Sequence, residues 1–144
     1  MGMIDVGEKP VVKRRATAAG KIRLSSETVK KIREGGIRKG DPRPVAEVAG
    51  MNAAKQTHLL IPHCHQIPLD MAALTFTLDR EVVEARCTVR SQARTGVEME
   101  ALVGVSIALN TIWDMVKYLE KDNQGQYPET MITDIRVIKK EKAA

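Results

Sequence analysis

Aromatic residues make up only 3% of this 144-residue chain, with one Trp, one Phe and two Tyr. A protein that holds single-stranded nucleic acid by stacking bases on rings would have little to stack them on. Cysteine is as sparse. Two residues build no disulfide framework, so a reducing cytoplasm is the expected setting. Long hydrophobic runs are missing too: the most apolar stretch, Ala101–Ile112, falls short of the roughly 20 residues of a membrane span. Asp5 and Glu8 precede any apolar run, unlike a secretory leader, and Val6 stands where myristoylation at Gly2 would want Ser or Thr. There is no internal repeat, low-complexity block or linker. With 43% hydrophobic and 28% charged residues, the expectation is a soluble cytoplasmic protein, one domain over residues 1–144, with no membrane partner.

What the chain has in excess is positive charge, unevenly spread. The net charge is +5, yet residues 1–43 hold 12 Lys and Arg against 5 Asp and Glu, and the remainder 11 against 13. A basic N-terminal third suits an anionic partner: nucleic acid, a membrane surface or a phosphorylated small molecule. A solvated surface explains it equally well.

Hydrophobic spacing predicts the elements. Residues 1–18 read as an irregular basic segment, and Ala19–Leu24 as a short strand. Ser25 or Ser26 caps a helix over Glu27–Glu34, stopped by Gly35-Gly36. A loop carrying Lys39-Gly40-Asp41-Pro42 leads to a helix over Pro44–Leu60, ended by Pro62. Leu74, Phe76 and Leu78, then Val83, Ala85, Cys87 and Val89, alternate with polar residues as two strands of a hairpin. Val97–Lys121 has helical period, with Ala101, Val105, Ala108, Ile112, Met115 and Leu119 on one face. Met131–Ile138 closes the chain as a strand. The order β-α-α-β-β-α-β suits an α+β, ferredoxin-like two-layer sandwich, an antiparallel sheet with helices on one face.

Several groups of residues could carry chemistry. Asp114 and Lys117 share a face of the long helix, with Asn110 one turn earlier. They form either a surface ion pair worth a few tenths of a kcal/mol or, lining a desolvated cleft, an acid/base couple. Around Pro62-His63-Cys64-His65, three readings stay open: a metal site drawing on His58, a cysteine nucleophile with a histidine base, and a plain polar loop. Glu98 and Glu100 would diverge at a helix start, where both favour the positive dipole. Lys55 sits at the margin of an apolar stripe, Val45, Val48, Asn52 and Leu59, along which its stem could snorkel. Lys39-Gly40-Asp41 reads as a turn and lacks the preceding glycines of a phosphate-binding P-loop.

Taken in order, Met3–Pro10, Ser26-Glu27-Thr28, Lys39-Gly40-Asp41, Ala49-Gly50, Ala53-Ala54-Lys55-Gln56-Thr57, Leu60-Ile61-Pro62 with Cys64-His65, Thr95–Leu102 and Asp114-Met115-Val116-Lys117 resemble the cyclic pyranopterin monophosphate synthase family, molybdenum cofactor biosynthesis protein C. The resemblance covers Met3 to Lys140. It implies conversion of (8S)-3′,8-cyclo-7,8-dihydroguanosine 5′-triphosphate to cyclic pyranopterin monophosphate with release of pyrophosphate, a lyase reaction. It also implies a ferredoxin-like fold and a homohexamer, a trimer of dimers with active sites at dimer interfaces. Carried onto this sequence, the family's pattern makes Asp114, Lys117, Lys39 and Lys55 catalytic. His63, Cys64, His65, Glu98, Met99, Glu100 and Arg14 become substrate-binding, Arg14 meeting the triphosphate. No redox cofactor and no protein-bound metal are implied; Mg²⁺ would enter only with the triphosphate. Nucleic acid is not an expected partner.

The sequence departs from the family pattern at His63, where Leu is usual, at Gln66-Ile67, where Pro-Leu is usual, and at Trp113, where Tyr is common. Its last residues, Lys139–Ala144, lack the glycine-rich basic tail of many members.

Overall fold

A computed structural model describes residues 1–143. Eight elements follow one another: β1 (Val12–Arg23), α1 (Ser26–Glu34), α2 (Pro42–Lys55), α3 (Thr57–Leu60), β2 (Met71–Leu78), β3 (Val82–Ala93), α4 (Glu98–Glu120) and β4 (Met131–Ala143). The strands form one antiparallel sheet in the order β2-β3-β1-β4. Helices pack on one face of it, the expected ferredoxin-like α+β sandwich. The core joins Ile22, Val83 and Val89 of the sheet to Val105, Leu109, Ile112 and Val116 of α4.

Local chemistry sets most boundaries. The Ser25 hydroxyl accepts from the Thr28 amide and caps α1, and Gly35, at φ 90°, ends it. Asp41 caps α2 by accepting from the Arg43 amide, while the Arg43 guanidinium grips both oxygens of the same carboxylate. That pairing holds the Asp41 carboxyl below the ordinary range.

Three boundaries correct the sequence reading. The first strand starts at Val12, so only residues 1–11 are irregular. Its inward positions are Arg14, Ala16, Ala18, Gly20 and Ile22, and a face so poor in large apolar groups leaves no alternating pattern. The helix expected over Pro44–Leu60 breaks at Gln56, whose amide bonds back to the Ala53 carbonyl while the Thr57 hydroxyl takes the Ala54 carbonyl. The final strand continues past Ile138 to Ala143, still paired with β1; Ala144 lies outside the described residues.

A fourth correction concerns α2. Val45, Val48 and Leu59, the apolar stripe, are exposed, and the buried positions are Pro42, Ala46, Gly50, Ala53 and Ala54. The reason is the close approach of α2 to α4. A Cβ on Gly50 would lie 2.8 Å from the Gly104 carbonyl oxygen, and one on Gly104 would lie 2.7 Å from Cys87 Sγ. Only small residues fit between these backbones. Helix α4 itself is long and apolar enough to cross a membrane, but here it forms the spine of the core.

Candidate active site

Helix α4 carries polar side chains at both ends, and each end gathers residues from elsewhere in the chain. Near its C-terminal end, Lys117 Nζ lies 3.1 Å from Asp114 Oδ1. Lys39, from the turn before α2, places its Nζ 3.1 Å from Oδ2 of the same carboxylate and 3.5 Å from the Asp114 carbonyl oxygen. Two lysines 78 positions apart in the sequence thus share one aspartate. Their hydrogen bonds, that of Lys117 first, hold the Asp114 carboxyl below the ordinary carboxylate range. The stripe does not line a cleft of the protomer, however: 58% of the Asp114 side chain is accessible. Ser106 and Asn110, on the same stripe, bond only to carbonyls of their own helix.

At the N-terminal end, the charges of Glu98 and Glu100 both act on Cys64. Glu100 is 3% exposed, and burial, reinforced by Glu98, pushes its carboxyl above the usual range. Gly96 leaves room for the Glu98 carboxylate, which a Cβ there would strike. Lys140 of β4 approaches Glu98 Oε1 at 3.4 Å, while Oε2 is buried without a hydrogen-bond partner. The Cys64 thiol is pushed up, chiefly by burial and then by Glu100 and Glu98, which disfavours the thiolate a nucleophile requires. The other cysteine, Cys87, is wholly buried in the core and its thiol is pushed up to about 12.

His65 Nε2 sits 2.6 Å from the carbonyl oxygen of Ile4 in the N-terminal segment. A carbonyl only accepts, so Nε2 carries the hydrogen, and in that neutral tautomer Nδ1 is the acceptor. His63 is exposed and Met99 half-buried. No three His, Cys, Asp or Glu side chains among the described residues are grouped as the ligands of a metal ion would be, those of His58, His63, Cys64 and His65 included.

Two candidates lie apart. Lys55, at the far end of α2 from Lys39, lines a cleft of about 510 Å³ with His58, Gln66 and Leu69. Arg14 is 8% exposed; its Nε donates to the Ala93 carbonyl at 3.2 Å. It borders a cleft of about 610 Å³ with Arg15, Arg90 and Lys142, opposed by Asp70 and Glu141. This predominantly cationic opening can take a polyanion.

Glu100 and Asp114 stand 14 residues apart on one straight helix, about 21 Å at the α-helical rise. A single protomer therefore brings together Lys39, Asp114 and Lys117 at one end and Cys64, Glu98, Glu100 and Lys140 at the other, and does not join them. Lys140 was not among the expected site residues. It occupies one position of an exposed lysine-rich strand, and nothing in its spacing points to a glutamate 42 residues earlier.

The sequence matches the MoaC family over residues 3–143. The chain belongs to that family. It is 54% identical over 140 residues to a probable cyclic pyranopterin monophosphate synthase of Pyrococcus abyssi, covering 97% of this chain and 88% of the relative. A protein of the same name from Thermococcus kodakarensis is also 54% identical, with 97% and 90% covered. A relative from Methanothermobacter thermautotrophicus, 56% identical with 97% and 88% covered, is named a probable cyclic pyranopterin monophosphate synthase accessory protein. The MoaC match runs through every element that carries a candidate residue, from Arg14 on β1 to Lys140 on β4.

Proposed function

We propose that this chain is a cyclic pyranopterin monophosphate synthase of molybdenum cofactor biosynthesis, a cytoplasmic lyase. It would act on (8S)-3′,8-cyclo-7,8-dihydroguanosine 5′-triphosphate and release pyrophosphate. The observation that carries this reading is the convergence of Lys39 and Lys117 on Asp114, a proton-transfer group assembled from distant parts of a chain of the MoaC family.

The chemistry asks for such groups. Opening the guanine-derived ring requires protonation of nitrogens and activation of water. Lys117 serves as the proton-transfer group, Asp114 holds its ammonium in place, and Lys39 is a second donor within reach of the same carboxylate. At the other end, Glu100 is kept protonated to higher pH by burial and can donate a hydrogen bond or a proton. His65 Nδ1 accepts one. Cyclic phosphate forms when a sugar hydroxyl attacks the α-phosphorus and the bond to the β-phosphate breaks. The pyrophosphate leaving group gathers negative charge, which Arg14 and the cations beside it are placed to meet. Lys55, lining its cleft, and His63 contact substrate. Mg²⁺ enters, where it does, bound to the triphosphate.

Both ends of α4 are needed and they lie too far apart, so each site is completed by a second subunit within a hexamer built as a trimer of dimers. The exposure of the Asp114 group in one protomer supports the same arrangement, because proton transfer between lysine and carboxylate gains from a dry site that a second subunit would supply.

The test is pyrophosphate release from the cyclised triphosphate by the purified protein, with chelator present and the organic product identified. Stoichiometric pyrophosphate and pyranopterin are expected. No product from a folded oligomer with Mg²⁺ restored would overturn the reading. Lys117→Ala should lower kcat by at least about 100-fold with fold and assembly intact; substantial residual turnover would remove Lys117 from its role.

A further inference from the structure

Lys39 must reach Asp114 from a loop with little of its own to hold it. Between α1 and α2, Gly35, Gly36 and Gly40 all have positive φ, at 90°, 111° and 98°, and a Cβ on any of them would meet nothing within 4 Å. Such a segment has many conformations to lose on ordering. The ion pair between Lys39 and Asp114 is exposed at both partners, and pairs of this kind contribute little to holding a loop. Two other ties remain. Ile37 is buried in the core, and its carbonyl accepts from the Gly40 amide at 2.9 Å, closing a turn whose two central residues are Arg38 and Lys39.

The other tie is to Tyr118. The Arg38 backbone amide donates to the Tyr118 hydroxyl at 2.6 Å, and the Arg38 guanidinium carbon stands 4.3 Å from the centroid of the same ring. Tyr118 follows Lys117 directly and lies one helical turn beyond Asp114, on the same face of α4. One side chain thus grips the residue before Lys39 by both its backbone and its cation, from the helix that carries the other two members of the group. We propose that Tyr118, acting through Arg38, is a positioning residue that sets the Lys39 ammonium against Asp114. This role rests on Lys39 taking part in the synthase reaction.

Tyr118→Phe tests it, since the ring and its packing stay and only the hydroxyl acceptor goes. Amide hydrogen exchange at Arg38 and Gly40 should quicken. With the cyclised triphosphate as substrate, kcat should fall about three- to tenfold with KM within about twofold, the range expected for one lost hydrogen bond. In a Lys39→Gln background the same change should have no further effect on kcat, because there is no ammonium left to position. Three results would overturn the role: unchanged exchange at Arg38, unchanged kcat in an active enzyme, or an equal loss in the Lys39→Gln background. A wild-type protein without turnover would instead overturn the synthase reading, and the positioning role with it.

Discussion

The role proposed for Glu100 comes at a cost to the fold. Its carboxyl is buried at the start of α4 and its affinity for a proton is raised by that burial, with Glu98 adding to the effect. A carboxyl whose pKa is higher in the folded than in the unfolded chain opposes folding once the pH passes its unfolded value, because folding must then bury an ionised group or reprotonate it. The wild-type protein therefore loses stability from this residue as pH rises through about 4.5 and beyond, and Glu100→Gln does not. In urea unfolding at fixed protein concentration, the glutamine variant should have the higher midpoint at pH 7, and the two should coincide below about pH 4. Equal midpoints at pH 7 would mean that Glu100 is not desolvated in the folded protein. The variant should also lose turnover, a separation of stability from activity that a merely structural carboxylate would not show. In the sequence Glu100 reads as an ordinary acidic first-turn residue, since burial at this position depends on segments far away in the chain.

At the scale of elements, the end of α4 is fastened by a single carboxylate. Glu120 accepts from the Ser25 amide at 3.2 Å, from the Thr28 hydroxyl at 2.5 Å and from the Thr130 hydroxyl at 2.8 Å, joining the cap of α1, the last turn of α4 and the approach to β4. Thr28 and Thr130 are both buried, so Glu120→Ala leaves the Thr130 hydroxyl without a partner and the Thr28 hydroxyl with Ser25 Oγ alone. A loss of about 2–3 kcal/mol follows, with the midpoint lowered and the slope unchanged; a loss under about 0.5 kcal/mol would show that water replaces the carboxylate. None of these contacts is local, and none was legible in the sequence. What was legible were elements whose pattern is their own: the alternation of Leu74 to Val89, the helical period of Val97–Lys121, the Ser25 cap. Element β1 escaped in part because alanine, glycine and arginine on its inner face make no hydrophobic rhythm. The core face of α2 escaped because its small residues answer to Gly104 on another helix. Of the candidate site, Asp114 and Lys117 are visible as neighbours on one helix; Lys39 came only with the family resemblance, and Lys140 not at all.

For the whole molecule, α4 is a rod that keeps the Asp114 and Glu100 groups about 21 Å apart. In the proposed assembly the two ends of one rod therefore serve different sites. Two defective proteins, one with Lys117→Ala and one with Glu100→Gln, should then repair each other. After subunits of the two have been exchanged, a mixed dimer places both lesions in one site and leaves the other intact, so an equal mixture recovers up to roughly a quarter of wild-type turnover. Exchange can be followed by mass spectrometry of differently tagged chains, and an inactive mixture of fully exchanged subunits would place both groups of one subunit in the same site. In the language of genetics, alleles at opposite ends of this helix should complement, and alleles at the same end should not.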